Sequence, residues 1–385
     1  MLIVPGAWLG LLGGGQLGRM FTMAAQSMGY KVLVLDPGAD SPAGSVADAQ
    51  LTADYVDPAA LDELAHRCAA VTTEFENVPA EALRILSKRC VVSPAADSVA
   101  VAQDRIAEKR FLTSVGLAVA PCKTIYQSAD IDAASAALLP GILKRSRLGY
   151  DGKGQVRVAT ISQAREAFEQ LGQQPCILEK LVALHLELSV IVARGFDDTV
   201  VTWPVAENRH ANGILDVSIV PARVEPAVAE QAREAAVSVA TALDYRGVLC
   251  VEFFVSQDGQ LLANEIAPRP HNSGHYTIDA CVTSQFEQQL RVLCGSPLGA
   301  TVLHSPAVMV NLLGDLWARG EPNWGSVLCH PRVKLHLYGK SQARAGRKMG
   351  HYTVLGDSAE EALRLALEIK SNLATAAQAN QMQSA

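Results

Sequence analysis

The hydrophobic and polar positions of the first hundred residues follow two alternating periods. Short apolar runs such as "WLGLL", "KVLVLD" and "AVTTEF" are typical of buried strands, and each is followed by a segment with apolar residues at helical spacing. Strands that alternate with helices in this way indicate a parallel sheet covered by helices. The pattern therefore predicts an α/β domain at the start of the chain.

The pattern changes after this region. Residues 98–116 are predicted to form one helix that leaves the first domain, and a strand-rich segment follows it. A helix over "AVAEQAREAAVSVATALDY" precedes two strands, "GVLCVEFFV" and "LLANEIA". The last 80 or so residues contain short strands and a helix whose start at Ser358 and Glu361 has the spacing of a capping box.

Composition narrows the class of protein. The chain has 385 residues, of which 49% are hydrophobic, so two or three domains with sizeable cores are expected. A net charge of −6 argues against non-specific nucleic-acid binding. The eight cysteines are scattered without a C-x-x-C pair, which favours reduced thiols. No signal peptide and no membrane span are expected, so we predict a soluble cytoplasmic protein.

A glycine-rich turn follows the first predicted strand. In "LGLLGGGQLGRM", Gly13, Gly15 and Gly18 fit G-x-G-x-x-G, and the next strand ends in Asp36. Such a turn could hold NAD, with Asp36 on the ribose, or another phosphate compound. A loop rich in proline and glycine follows Asp36, so this residue could also simply end the strand.

Two glutamates give the most informative signal. The strands around "SQDGQ" predict a hairpin with a two-residue type I′ loop, Asp258-Gly259, which places Glu252 opposite Glu265. Like charges that face each other are destabilising, so the pair should share a proton or hold a cation. Oxygen ligands beside a phosphate substrate suit Mg²⁺. The alternatives are that one glutamate points to solvent or that a bulge breaks the register.

A second glycine-rich segment, "KRSRLGYDGKGQ", lies between two β-like runs. Three glycines and four nearby cations could approach phosphate oxygens: Gly149, Gly152, Gly154, Lys144, Arg145, Arg147 and Lys153. The Walker pattern is absent and no helix follows, so a flexible hairpin over a nucleotide is the better interpretation. The alternative is an ordinary glycine-rich turn.

Two further segments concentrate anion-binding side chains. "NEIAPRPHNSGH" contains Arg269, His271, Asn272 and His275, and its prolines hold the chain extended. "LYGKSQARAGRKMGH" gathers four cations around two glycines: Lys340, Arg344, Arg347 and Lys348. In an acidic chain this cluster favours a phosphate site over a solvated face. His336 is interpreted as structural.

These motifs, in this order, resemble those of the N5-carboxyaminoimidazole ribonucleotide synthetases, a family of ATP-grasp ligases in purine biosynthesis. The resemblance runs from "GLLGGGQLGRM" through "TEFENVP", "KRSRLGYDGKGQ", "ILEKLV" and "NEIAPRPHNSGH" to "GRKMGH". It implies an α/β and α+β architecture: an N-terminal Rossmann-like domain (1–103), a two-lobed ATP-grasp domain (104–300) and a small C-terminal domain (301–385). It also implies that the glycine turn faces a ribonucleotide rather than NAD.

The resemblance further implies the reaction. ATP would phosphorylate bicarbonate to carboxyphosphate, and the amine of 5-aminoimidazole ribonucleotide (AIR) would take up the carboxyl group. ATP and Mg²⁺ are the expected cofactors, small molecules are the expected partners, and a homodimer is expected.

Roles can be carried over by motif position. Arg105 and Lys144 would meet the nucleotide phosphates, and the loop 149–155 would close on them. Residues 179–182 would form the adenine hinge. Glu187 would hold the ribose hydroxyls, and His210 and Asn264 would complete that pocket. The residues expected to bind ATP are Arg105, Lys144, Gly149, Tyr150, Asp151, Gly152, Lys153, Gly154, Gln155, Glu179, Lys180, Leu181, Val182, Glu187, His210 and Asn264. Glu252 and Glu265 would hold Mg²⁺. Many ATP-grasp enzymes have an asparagine where this chain has Ala267, so only two protein ligands are assigned.

The ribonucleotide and bicarbonate sites follow in the same way. The residues expected to line the AIR site are Gln16, Leu17, Glu74, Asn272, Lys340, Arg347 and Lys348. The residues expected at the reacting groups are Arg269, His271, Tyr150, Asp151 and Lys348.

Three other readings stay open at this point. One is an ATP-grasp relative with another acyl donor, such as the formate-dependent glycinamide ribonucleotide transformylase. Another is a nicotinamide-dependent oxidoreductase that uses residues 9–36. The third is a non-catalytic binding protein on the same fold.

Overall fold

The first hundred residues form the predicted parallel sheet. The computed structural model describes residues 2–132, 136–147, 149, 154–318 and 320–379, apart from the side chains of 136 and 374–379. The strands of the first sheet are β1 (Trp8–Leu12), β2 (Lys31–Asp36), β3 (Ala49–Thr52), β4 (Ala70–Thr73) and β5 (Val91–Val92), in the order β3-β2-β1-β4-β5. Its helices are α1 (Gln16–Ser27), α2 (Pro58–Arg67), α3 (Ala80–Leu86) and α4 (Ala96–Ala102).

The hydrophobic pattern correctly predicted the strands that are buried on both faces of the sheet. The central residues of β2, "VLVL", are all buried, as are those of β4. Strands β3 and β5 lie at the two edges of the sheet and are short or polar, so they carried no such signal.

The predicted helix over residues 98–116 is in fact two helices. α4 ends at Ala102, and α5 (Arg105–Ser114) begins after Asp104. The Asp104 carboxylate accepts hydrogen bonds from the backbone N–H groups of Ile106 (2.9 Å) and Ala107 (3.4 Å), which is the geometry of an N-cap. The prediction of a single helix was wrong because the apolar spacing continues across this cap. Because Asp104 is the N-cap, Arg105 is the first residue of α5.

A small antiparallel sheet follows. Its strands are β6 (Cys122–Ile125), β7 (Gly141–Arg145), β8 (Gln155–Val158) and β9 (Cys176–Lys180), in the order β6-β9-β7-β8, with helices α6 (Ser128–Asp132) and α7 (Ile161–Gln170). β7 and β8 pair from Lys144–Gln155 to Gly141–Val158, so the glycine-rich segment does connect the two arms of a hairpin.

The rest of the chain contributes to one nine-stranded sheet. Its strands are β10 (Leu184–Arg194), β11 (Val200–Thr202), β12 (Ala206–Ala211), β13 (Ile214–Val220), β14 (Gly247–Ser256), β15 (Leu261–Ala267), β16 (Ala307–Leu313), β17 (Val333–Leu337) and β18 (Lys348–Leu355). The order is β15-β14-β10-β12-β13-β16-β18-β17, and β11 pairs with β10.

The helices of this region are α8 (Pro226–Ala242), α9 (Thr277–Ala280), α10 (Gln285–Leu293), α11 (Gly325–Leu328) and α12 (Ala359–Ala379). α8 packs its alanine-rich face on β10 and β14. The Ser358 hydroxyl accepts from the Glu361 N–H (3.1 Å), while the Glu361 carboxylate accepts from the N–H of Asp357, one residue before the expected one. Among the described helices, none is long and apolar enough to span a bilayer.

The C-terminal strands continue the central sheet rather than forming a sheet of their own. β13 pairs with β16 along Val217–Val310 to Val220–Ala307, and β16 pairs in turn with β18. This pairing brings the cationic segment between β17 and β18 to the same sheet that carries the two glutamates.

Candidate active site

The two glutamates lie opposite each other, as predicted. In the β14–β15 ladder, Glu252 is the direct partner of Glu265. The predicted two-residue type I′ loop is wrong, however. The Ser256 N–H donates to the Gln260 carbonyl (3.0 Å), which leaves three residues in the loop, and of these only Gly259 has a positive φ (+84°). A type I′ turn requires two such residues.

The glutamate register survives because a second irregularity compensates for the longer loop. Near the turn, Phe253 faces Ala263, but one position further on Glu252 faces Glu265. Asn264 is therefore the extra residue of a β-bulge. The three-residue loop shifts the pairing by one residue, and the bulge shifts it back by one residue before the carboxylate pair. The expected opposition of the two glutamates is therefore correct, although the predicted turn is not.

The two carboxylates have different electrostatic surroundings. Burial and the charge of Glu265 raise the pKa of Glu252. Burial acts on Glu265 as well, but Arg105, whose Nη1 lies 3.1 Å from Glu265 Oε2, holds the pKa of Glu265 below its usual value. His271 Nε2 lies 3.3 Å from Glu252 Oε1, and burial together with Arg269 keeps the pKa of this imidazole well below its usual value. A neutral histidine and an arginine thus flank the pair.

A buried ion cluster lies at the predicted adenine hinge. Lys144 Nζ is 2.7 Å from Glu179 Oε2, and Lys109 Nζ is 3.6 Å from Glu179 Oε1. Although burial opposes ionisation, the two lysines lower the pKa of Glu179 to about 2. Lys144, expected to meet phosphates, is therefore held by a hinge residue in this structure. The other hinge residues follow at the end of β9 and beyond it: Lys180, Leu181 and Val182.

The residues predicted to contact the ribose of ATP are brought together by neighbouring strands. β10 pairs with β12, and His210 Nδ1 lies 2.7 Å from Glu187 Oε2. Burial opposes protonation of His210, but Glu187 raises the pKa of the imidazole above its usual value. Asn264, also predicted here, has a buried Oδ1 for which the described residues provide no hydrogen-bond partner.

The glycine turn is occupied by the protein's own carboxylates. The Gly14 N–H donates to Asp36 Oδ2 (2.7 Å), and the Gly15 and Gly18 N–H groups donate to the two oxygens of Glu74. A Cβ on Gly15 would lie 2.3 Å from Glu74 Oε1, so this approach requires glycine. The donors that a dinucleotide pyrophosphate needs are therefore engaged, which disfavours NAD. Gln16 and Leu17 begin α1 beside this carboxylate.

The residues predicted near bicarbonate and AIR mostly have protein partners here. Arg269 Nε donates to the Glu76 carboxylate. This contact joins the segment after β15 of the nine-stranded sheet to the loop after β4 of the first sheet. Asn272 and Asn311 exchange two amide hydrogen bonds (3.0 and 2.7 Å). Lys340 Nζ donates to the backbone carbonyl of Lys348 (2.6 Å).

The remaining predicted residues lie in or near two loops, the cationic segment between β17 and β18 and the glycine-rich segment between β7 and β8. Arg347 Nη1 donates to the carbonyl of Gln342 (2.8 Å). Arg105 Nη2 donates to the carbonyl of Gly149 (3.4 Å), and the Gly154 carbonyl accepts from the N–H of Arg145 (2.8 Å). Gln155 begins β8. Four of the predicted loop residues lie outside the described residues: Tyr150, Asp151, Gly152 and Lys153.

Sequence reasoning missed Glu108 and Lys109 of α5, which are 2% and 4% exposed. Together with Arg105 they occupy positions i, i+3 and i+4, which share one helix face. Leu112 lies on the same stripe and is fully buried. Charged residues on a stripe that continues into the core were therefore the signal available in the sequence.

A group of histidines packs behind the cationic segment. His336 Nε2 lies 2.8 Å from Asp279 Oδ2, and His351 Nδ1 lies 2.9 Å from the Tyr338 hydroxyl. The His336 and His351 rings are stacked, with centroids 4.6 Å apart and planes 15° from parallel. Nearly parallel rings direct their nitrogen lone pairs side by side rather than toward one point, so hydrogen bonding and stacking account for this arrangement better than a metal does.

Comparison with known proteins identifies the family. Three family models match in chain order: the ribonucleotide synthetase preATP-grasp domain (residues 7–103), the ATP-grasp domain (110–286) and the phosphoribosylaminoimidazole carboxylase C-terminal domain (307–365). The N5-carboxyaminoimidazole ribonucleotide synthase of Brucella melitensis biotype 1 is 49% identical over 352 residues, which is 91% of this chain and 96% of that protein. The Bacillus subtilis synthase is 45% identical over 361 residues, 94% of each chain.

Solved structures match over similar lengths. An ADP complex of N5-carboxyaminoimidazole ribonucleotide synthetase superposes with a TM-score of 0.90 at 43% identity, covering 96% of this chain and 97% of that one. The Aspergillus clavatus enzyme in complex with ADP and 5-aminoimidazole ribonucleotide gives 0.86 at 31% identity, covering 95% and 98%. By sequence and by fold alike, the chain belongs to the N5-carboxyaminoimidazole ribonucleotide synthase family of ATP-grasp ligases.

Proposed function

We propose that this chain catalyses the ATP-dependent carboxylation of AIR, with bicarbonate as the carboxyl source, to N5-carboxyaminoimidazole ribonucleotide, ADP and phosphate. The observation that carries the proposal is the opposed pair Glu252 and Glu265, flanked by Arg105 and His271, in a chain of this family. The relative solved with ADP and AIR supports the choice of substrates.

The donor set around the glutamate pair fits Mg²⁺. Two opposed carboxylates offer hard oxygen ligands, and a dication would relieve the repulsion that raises the pKa of Glu252. Glu252 and Glu265 would hold the ion together with oxygens of ATP. When bound, Mg²⁺ neutralises charge on the phosphates during transfer.

The side chains around the ATP site would mainly position and stabilise charge. A bicarbonate oxygen attacks the γ-phosphorus, the bond to the bridging oxygen breaks, and ADP leaves. Arg105 and Lys144 would face the charge spread over the transferred group, and no nucleophilic side chain is needed. Lys144 would exchange its Glu179 contact for a phosphate oxygen when ATP binds.

Carboxyphosphate reacts with water, so the second step needs a closed site. The segment from Gly149 to Gln155 is proposed to close over it, and the hydrogen bond from Arg105 to the Gly149 carbonyl ties one end of this segment to the phosphate site. The amine of AIR then attacks the carboxyl carbon, the bond to phosphate breaks, and the proton that the nitrogen loses passes to the departing phosphate. His271 would donate a hydrogen bond as a neutral imidazole, while Arg269 would supply positive charge.

The AIR site is proposed to lie between the glycine turn and the cationic segment, lined by Gln16, Leu17, Glu74, Asn272, Lys340, Arg347 and Lys348. In the present structure Glu74 caps the first turn of α1. A carboxylate held by backbone N–H groups is well placed to accept hydrogen bonds from ribose hydroxyls with its remaining lone pairs.

The test is ADP release by the purified protein with Mg-ATP, with and without AIR and bicarbonate in CO₂-depleted buffer. Strong stimulation by AIR that depends on bicarbonate supports the proposal. Formate in place of bicarbonate is the control, since it tests the transformylase alternative. A folded protein that binds ATP but shows no stimulation by AIR contradicts the proposed acceptor.

Oligomeric state and location complete the proposal. We propose a homodimer, which sedimentation velocity at micromolar concentration checks directly. A cytoplasmic location is proposed because the substrates belong to purine biosynthesis, and fractionation of cells tests it.

A further inference from the structure

Strand β15, which carries Glu265, is an edge strand of the large sheet. It pairs with β14 on one side. On the other side, Ala263 bridges Val119, and α5 lies along the residues that follow. The bulge at Asn264 disturbs the ladder immediately before the glutamate. A bulge and an edge both leave backbone groups without a strand partner, and such groups are costly when buried.

Two side chains of α5 supply the missing partners. The Ile266 N–H donates to Glu108 Oε1 (2.6 Å), and Lys109 Nζ donates to the carbonyl of Asn264 (2.7 Å). These two backbone groups belong to the residues directly before and after Glu265. The peptide groups on both sides of Glu265 are therefore held by one helix.

The same helix also contacts the carboxylate and the adenine hinge. Arg105, one turn before Glu108, makes the ion pair with Glu265 itself. Lys109 Nζ is 3.6 Å from Glu179, and this lysine is 4% exposed. Burying these charges is expensive unless each has partners, and here the partners are all parts of the proposed ATP and metal sites.

We propose that Glu108 and Lys109 are positioning residues, which clamp the backbone on either side of Glu265 so that its carboxylate faces Glu252, and which link this orientation to the adenine hinge through Glu179. The proposal rests on the metal role assigned to Glu265 above. Both side chains act through the residue that they hold.

A matched pair of variants separates the reach of the side chain from the identity of its end group. Glu108→Gln retains the length and the Oε1 acceptor but replaces the carboxyl group with an amide. Glu108→Asp retains the carboxyl group but withdraws the acceptor by about 1.5 Å, the length of one C–C bond. A clamp requires reach, so the Asp variant should be impaired and the Gln variant should stay near wild type.

The expected kinetic effect concerns the metal. Mutation of a residue that holds a metal ligand typically lowers metal affinity or activity by about 10- to 100-fold. Glu108→Asp should therefore raise the Mg²⁺ concentration for half-maximal ADP release by at least about 10-fold. The KM for AIR should change little. Lys109→Met should show the same change in Mg²⁺ dependence and, through Glu179, a raised KM for ATP.

A second measurement does not depend on the reaction. Amide hydrogen exchange of a peptide covering residues 261–267 should be faster in Glu108→Asp than in wild type or Glu108→Gln, since the Ile266 N–H loses its acceptor. Glu207→Gln is the control, because Glu207 of β12 is also buried but pairs with Arg223, and β10 separates β12 from β14. It should leave both exchange in 261–267 and Mg²⁺ dependence unchanged.

The outcomes distinguish the two proposals. If wild type shows no AIR-stimulated ADP release, the proposed function fails, and the exchange data still decide whether α5 clamps β15. If wild type is active and Glu108→Gln is impaired more than Glu108→Asp, the carboxyl group rather than its reach matters and the clamp is wrong. Unchanged exchange and unchanged Mg²⁺ dependence in a folded Glu108→Asp variant overturn it as well.

Discussion

Neutralising Glu252 should stabilise the fold while abolishing the metal site. In the β14–β15 ladder the opposed residues have Cβ atoms about 5 Å apart. Two ionised carboxylates at that distance repel by about 3 kcal/mol at an effective dielectric constant of 20. Arg105 offsets part of this through Glu265. We therefore expect Glu252→Gln to raise the free energy of unfolding at pH 8, without Mg²⁺, by about 1–2 kcal/mol.

The matching change at the other carboxylate should have the opposite sign. Glu265→Gln keeps the shape but removes the charge that pairs with Arg105 at 3.1 Å. Removing one partner of a partly buried ion pair costs about 3–5 kcal/mol because the other charge is left unpaired. This cost exceeds the repulsion of about 3 kcal/mol that the change relieves. Without Mg²⁺ the order of stability should be Glu252→Gln, wild type, Glu265→Gln. Both variants should lose Mg²⁺-dependent ADP release.

The pH dependence follows from the raised pKa of Glu252, whose ordinary value is 4.5. Between 4.5 and the folded-state pKa, the folded protein holds a proton that the unfolded chain has lost, so wild-type stability falls as pH rises through this window. At pH 5 Glu252 is already neutral in the folded state, so Glu252→Gln should have little effect. The advantage of the variant should grow toward pH 8.

Thermal unfolding of wild type, Glu252→Gln and Glu265→Gln measures both the order of stability and its pH dependence. The measurements are made at pH 5 and pH 8, first with EDTA and then with Mg²⁺ and ADP. Mg²⁺ with ADP should stabilise wild type by mass action and the variants much less. The reasoning is refuted if Glu252→Gln is less stable than wild type at pH 8, or if its advantage grows as the pH is lowered.

Three further predictions concern buried charges. Lys144→Met leaves Glu179 with Lys109 at 3.6 Å and should destabilise the protein by about 3 kcal/mol in urea unfolding, an effect that a second change, Glu179→Gln, should partly reverse. Because the folded-state pKa of Glu179 is about 2 against an ordinary 4.5, its stabilisation is complete above 4.5 and is lost as the pH falls toward 2. Glu179→Gln should therefore flatten acid unfolding over that range, as followed by circular dichroism. Glu74→Ala removes the acceptor of the Gly15 and Gly18 N–H groups and should cost about 1–2 kcal/mol. It should also expose the start of α1 to anions, so that phosphate raises the melting temperature of this variant more than that of wild type.

The parallel sheet and the flanking helices of the first hundred residues could be predicted from the sequence because their signals are local. Period-two and period-3.6 patterns depend on which face is buried, and the buried strands β2 and β4 show them clearly. The edge strands β3 and β5 lack such a pattern, since an edge needs few apolar residues. The motifs that place the chain in its family are local as well.

The glutamate pair shows where local reasoning stops. The opposition of Glu252 and Glu265 was predicted correctly, yet from a loop that the structure does not have. A bulge at Asn264 restores the register, and what stabilises that bulge is a helix about 155 residues earlier in the chain, through Lys109 and the Asn264 carbonyl.

What the sequence by itself determined is the set of chemical groups, their order and the elements that carry them. Which group pairs with which was decided only by the tertiary structure. Glu74 reaches the glycine turn across 56 to 59 positions, and Lys144 is held by Glu179. Likewise β13 and β16 pair across the expected boundary between the ATP-grasp domain and the C-terminal domain. Such contacts form because buried charges and unpaired backbone groups must find partners, and the nearest partner in space is seldom the nearest in the chain.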